Sequence, residues 1–147
     1  MSTHEPKGEG IEIVRQFFED AFSTGNFDLI DEIVAEDAVA YDPTQPEPVR
    51  GPQGIKELIT MYRSAFPDLS FEVQETVTDG EWVAVRWTST GTHEGELMGI
   101  EPTGKKTAVE GIELDRIEDG KIVESRVSWD ALGLLQQLGA VPESPAR

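Results

Sequence analysis

The sequence predicts an α+β fold in which helices gather at one side of an antiparallel sheet. Three observations carry this. The N-terminal half holds apolar stripes at helical spacing, the C-terminal half holds long alternating runs, and Asp-Gly pairs at Asp79-Gly80 and Asp119-Gly120 split those runs into hairpins. With 147 residues the chain is most simply one domain spanning residues 9–139, with polar tails at 1–8 and 140–147.

The elements follow in order. Ile11, Val14, Phe17, Phe18, Ala21 and Phe22 form an i, i+3, i+4, i+7 stripe that predicts an amphipathic helix ending near Thr24-Gly25. Asn26 caps a second helix through Phe27, Ile30, Ile33 and Val34. A short strand, Ala38–Tyr41, leads into a loop stiffened by Pro43, Pro46 and Pro48. Pro52 opens a third helix with Ile55, Leu58, Ile59, Tyr62, Ala65 and Phe66 on one face. Four strands and a short terminal helix through Leu132, Leu134, Leu135 and Leu138 complete the order. The connections look too short for parallel crossovers.

Two-residue turns set the expected registers. Across Asp119-Gly120 they pair Ile117 with Ile122, Glu113 with Arg126 and Gly111 with Ser128. One face then carries Glu113, Asp115, Glu124, Arg126 and Asp130, either as a solvated surface or as the lining of a wet pocket. In the first hairpin the same argument sets Arg86 among Leu69, Phe71 and Val73 on the inner face, where it needs an anionic partner or ligand. Val83, Val85 and Trp87 then fall on the outer face, an apolar surface that predicts a homodimer.

Composition narrows the function. The chain has no cysteine, which rules out disulfides and thiolate chemistry. Its 29 acidic and 12 basic residues give a net charge of −17, spread along the chain, which speaks against nucleic-acid and anionic-membrane partners and suggests adaptation to high salt. No Asp/Glu/His cluster has metal-ligand spacing. An apolar leader is lacking and no stretch approaches the ~18 apolar residues of a membrane span, so a cytoplasmic protein is expected.

The segments RGPQGIKELITMYRSAFPDL, GTHEGELMGIEPTGKK and DRIEDGKIVESRVSWDALGLLQQLG resemble the SnoaL-like polyketide cyclases of the nuclear transport factor 2-like superfamily. The resemblance spans residues 10–139. It implies a cone: a sharply curved antiparallel or mixed sheet wrapped around three N-terminal helices, with a deep pocket at the open end. It also implies a cofactor-free, metal-free ring closure of a hydrophobic carbonyl compound by intramolecular aldol chemistry. An aspartate on the last strand acts as general acid/base in such proteins, and Asp130 matches it. The rival reading of Asp130 is an N-cap for the terminal helix. Tyr41, where many relatives have His, and Arg126, where many have Trp, are expected at the pocket, Arg126 either paired with Glu113 or binding an anion. His93 belongs to the matching GTHEG motif, as a ligand contact or as the residue that structures the glycine loop. Arg86 and Glu113 complete the expected substrate-binding set. The fold also hosts isomerases, epoxide hydrolases and non-catalytic binding domains.

Overall fold

The computed structural model describes residues 7–142. Helix α1 (Lys7–Arg15) runs on into wider π-helical turns over Gln16–Phe22. It thus begins two residues inside the expected N-terminal tail; the rest of that tail and residues 143–147 lie outside the described residues. Helix α2 (Phe27–Ile33) follows, its first turn capped by the Asn26 side chain accepting from the Leu29 N–H at 3.3 Å. Next come β1 (Val34–Tyr41), the short β2 (Val49–Arg50) inside the proline loop, and α3 (Gly51–Ala65). Strands β3 (Ser70–Asp79), β4 (Trp82–Thr92), β5 (Lys106–Glu118) and β6 (Lys121–Trp129) form two hairpins, and α4 (Ala131–Gln137) closes the chain.

All six strands form one sheet in the order β2-β1-β6-β5-β4-β3. The pair β1–β6 is parallel, which corrects the expectation of antiparallel pairing throughout. That expectation weighed only consecutive connections, whereas a helix and four strands separate β1 from β6 in sequence. The first three helices lie on the sheet's inner face, where Val14, Phe18, Ala21, Ile30 and Ile59 are fully buried.

The Asp119-Gly120 turn has the expected left-handed backbone at both positions, with φ 52° and 77°. Glu118 pairs with Lys121 and Ile117 with Ile122, as predicted. Beyond that point the ladder slips by one residue, because Val123 is an extra residue opposite the Arg116/Ile117 step. A one-residue slip exchanges the two faces of a strand. Glu113 therefore pairs with Val127 and Leu114 with Arg126, and Ser125, Val127 and Trp129 turn inward instead of Arg126 and Ser128. A second bulge at Gln74 does the same in the first hairpin, where Val73 pairs with Trp87 and Phe71 with Ser89. Val83, Val85 and Trp87 are core residues as a result, which corrects their assignment to an outer interface.

Candidate active site

The helices leave one end of the sheet's inner face uncovered. A cavity opens there, with about 830 Å³ of empty space including its mouth. Its walls are aromatic. Phe17, Phe18 and Phe22 come from the π-helical turns, Tyr62 and Phe66 from the C-terminal part of α3, and Phe71, Trp87 and Trp129 from the sheet. Phe22 and Phe71 meet with centroids 4.5 Å apart, and Tyr62 meets Trp129 edge-on at 6.2 Å. Such walls suit a flat, largely apolar organic group.

Two carboxyl groups interrupt this apolar lining from β5. Glu113 and Asp115 alternate inward with Val109 and Ile117, and they are 6% and 0% exposed. Glu113 lines the cavity, and Asp115 sits beside it, deeper in the wall. The Ser125 hydroxyl donates to Asp115 Oδ1 at 2.5 Å, while Asp115 Oδ2 meets no fixed donor among the described residues. The Glu113 carboxyl lies beside it, and a proton there would let Glu113 donate to Asp115. Burial pushes Glu113 well above the usual carboxylate range, and the adjacent Asp115 adds to the shift. Burial also raises Asp115, against the hydrogen bonds from Glu113 and Ser125 that favour its anion. With the two carboxyl groups buried side by side, a negative charge on one opposes ionisation of the other.

A third acid stands at the mouth. Asp42 begins the proline loop and accepts from the Thr44 N–H at 2.8 Å and the Thr44 hydroxyl at 2.7 Å. The Tyr62 hydroxyl donates to Asp42 Oδ2 at 3.2 Å. Burial, followed by the Asp42 charge, raises the pKa of the Tyr62 phenol and keeps it protonated. Asp42 contributes a smaller upward push on Glu113, so the polar groups of the cavity act on one another.

The six residues singled out from sequence scatter. Glu113 is in the cavity wall, and Tyr41 reaches it from the end of β1. Arg126 lies on the outside, over the Tyr41 ring at 4.3 Å and bonded to Glu124 at 2.8 Å. Its expected pairing with Glu113 is corrected by the β6 bulge. Arg86 is likewise on the outer face, bonded to Glu75 at 3.2 Å and not inward. His93 is wholly buried but outside the cavity lining. Its Nδ1 accepts from the Thr103 N–H at 3.2 Å, and its ring packs on Phe66 at 5.5 Å, so it anchors the glycine loop. Asp130 caps α4, its Oδ1 accepting from the Gly133 N–H at 2.8 Å, and is likewise outside the cavity lining. Among inward residues of β6 that line the cavity, Ser125, Val127 and Trp129, none is an acid. Asp115, Asp42 and Trp87 were not singled out as site residues. The Glu113-x-Asp115 alternation was the available signal for the first; nothing local marks the others.

A sheet closing an aromatic cavity with a buried acid in its lining defines a candidate site for a small organic molecule. The profile of the SnoaL-like polyketide cyclases matches residues 12–138, and the chain belongs to that family. It is 34% identical over 131 residues to the aklanonic acid methyl ester cyclase DnrD of Streptomyces peucetius, covering 88% of this chain and 90% of that one. The nogalonic acid methyl ester cyclase of Streptomyces nogalater is 32% identical over 120 residues, covering 81% and 90%. Among solved structures, wild-type IdmH from Streptomyces antibioticus superposes with a TM-score of 0.77 at 31% identity, over 88% of this chain and 98% of that one. TsrD from Streptomyces laurentii gives 0.83 at 26% identity, over 93% and 99%. Among the described residues, no helix is long and apolar enough to cross a membrane.

Proposed function

We propose that the protein closes a ring in a hydrophobic aromatic carbonyl compound by intramolecular aldol chemistry, using the Glu113–Asp115 pair as proton carrier. The observation that carries this is a buried acid, Glu113, in the lining of an aromatic cavity, with a second buried acid, Asp115, directly behind it. Acids whose pKa burial raises are suited to general acid/base work. The shared proton moves to Asp115, freeing Glu113 to take a proton from the carbon next to a carbonyl. The resulting enolate carbon attacks a second carbonyl of the same molecule, forming one carbon–carbon bond. The new alkoxide then takes the proton back from Glu113. Nothing leaves and no electrons are exchanged with a cofactor, so product and substrate are isomers.

Relatives named for aklanonic and nogalonic acid methyl esters make those esters the first compounds to try. Conversion of either to an isomeric product, followed by chromatography and mass spectrometry, supports the proposal. Tight binding without conversion contradicts it. It would instead favour a non-catalytic binding protein, a reading encouraged by Asp130, whose carboxylate is engaged as a cap.

We further propose a homodimer through the outer face of the sheet. Val77, Ala84 and Leu114 adjoin in one row across β3, β4 and β5, and Val77, Ile112 and Leu114 are 62%, 53% and 42% exposed. Sedimentation should give a dimer for the wild type and a monomer for Leu114→Lys. A monomeric wild type, or a variant that stays dimeric, removes the proposal.

A further inference from the structure

Asp42 has hydrogen-bonding capacity that the fold does not use. It stands half-buried at the cavity mouth and belongs to the lining, whereas Thr44, two residues on, does not. Thr44 turns both of its donors onto one oxygen of Asp42, the N–H reaching Oδ1 at 2.8 Å and the hydroxyl at 2.7 Å. This is the local turn that an Asp makes with the second residue after it. Oδ2 depends on Tyr62 alone among the described residues, and the phenol has a single proton for two acceptors. Thr44 Oγ1 is 2.9 Å from the phenol oxygen, and Asp42 Oδ2 is 3.2 Å from it. Thr44 has given its own proton to Asp42, so towards Tyr62 it accepts. It also accepts from Gln45 Nε2 at 3.3 Å, and both bonds are within the capacity of a hydroxyl oxygen. When the phenol turns to Thr44, the nearer oxygen, Oδ2 has no donor left.

The surroundings fit that oxygen to a neutral donor. No Lys, Arg or His is among the residues lining the cavity, so no cation within it balances Asp42. The group that reaches Oδ2 in the free protein is itself a phenol, so a ligand phenol replaces it like for like. Asp42 also stands at a useful distance from Glu113. It follows directly on β1, whose last residue, Tyr41, pairs with Arg126 of β6, and the next residue of β6, Val127, pairs with Glu113. The two acids therefore flank Val127, about 10 Å apart at ordinary strand spacing. An aromatic ring laid over Val127 spans them.

We propose that Asp42 Oδ2 receives a phenolic hydroxyl of the ligand, the Tyr62 proton turning to Thr44 as that hydroxyl arrives. No proton is transferred; the hydroxyl stays with the ligand. The proposal rests on the carbonyl-substrate reading above and adds a second anchor to it. With the hydroxyl at Asp42, the carbon next to the carbonyl is held at Glu113, and the ligand class is a hydroxyaryl ketone.

The test uses 4-hydroxyacetophenone and 4-methylacetophenone, in which a methyl group of similar size replaces the hydroxyl. Their affinities are read from ligand NMR at a pH where the phenol is neutral. Asp42→Asn should reduce the affinity of the hydroxy ketone relative to the methyl ketone about tenfold, since Asn keeps the Thr44 turn but loses the charge. Tyr62→Phe should preserve the wild-type ratio, because Oδ2 is then free. The near-ultraviolet band of the hydroxy ketone should move to longer wavelength on binding the wild type and not on binding Asp42→Asn. A ratio unchanged in Asp42→Asn, or one abolished by Tyr62→Phe, overturns the proposal. If Asp42→Asn does not fold, the wild-type spectrum decides: a band that does not move overturns it as well. Exchange of the ketone methyl protons with deuterated solvent, lost in Glu113→Gln for both ligands, keeps the acid/base reading whatever the ratio. Failure of both ketones to bind overturns the proposal, while conversion of the methyl esters still judges the ring-closing reading.

Discussion

Glu113→Gln is expected to lower the rate of cyclisation, or of ketone proton exchange, by roughly 10²–10⁴-fold. Gln keeps the shape and the hydrogen bond to Asp115 but cannot pass a proton. Asp130→Ala should leave the same rate within about twofold, since its carboxylate binds the Gly133 N–H and does not line the cavity; it should instead cost about 1 kcal/mol of stability. The opposite ranking would return the proton-carrier role to Asp130. A second readout separates electrostatics from catalysis. The folded Glu113 carboxyl titrates above its unfolded value, so its contribution to stability is complete below the usual carboxylate range. That contribution is lost as pH rises through the raised folded value, because the unfolded chain gains its charge freely while the folded chain resists. Glu113→Gln removes this loss. The variant should therefore gain stability over wild type as pH rises from about 4.3 towards alkaline values, measured by urea denaturation. Such a residue costs the fold something and is kept for what it does.

Gly95→Ala is expected to cost about 3 kcal/mol or more, a fall in melting temperature of about 10 °C in a domain of this size. Its backbone is not in the left-handed region, so the cost is steric. A Cβ would sit 2.2 Å from the Ser64 carbonyl oxygen and 3.2 Å from Ala65 Cα. Both are backbone atoms at the end of α3, which cannot rotate away as a side chain could. The Glu94 and Gly95 N–H groups both donate to the Ala65 carbonyl, at 2.9 and 3.0 Å. His93, two residues earlier, anchors the same loop. A loss under about 1 kcal/mol would show that the loop is not seated on α3 in this way.

The helices were legible because apolar spacing and caps are local signals. Asn26 and Asp130 cap the helices they precede, and Asp119-Gly120 turns with the backbone its residues favour. That Glu113 and Asp115 share one face of β5 was legible too, since β5 carries no bulge against β4; which way that face points was not. What escaped is what two extra residues decide. Gln74 and Val123 each add one residue to a ladder, and nothing in their chemistry announces it. Those bulges turn Arg86 and Arg126 outward and Trp87, Val127 and Trp129 inward, so unbroken alternation drew both arginines of the expected site from the wrong face. Asp42 escaped for another reason: only the packing of the proline loop on α3 brings it to Tyr62.

Glu113 and Asp115 should hold a proton between them beside the cavity. Carbon-detected NMR of the two side-chain carboxyl carbons across pH, in wild type and in Asp115→Asn, tests it most directly. Glu113 should remain protonated well above the usual carboxylate range, the two carbons should report a linked titration, and Asp115→Asn should break the linkage. Independent titrations, with Glu113 ionising near the ordinary ~4.3, would contradict it.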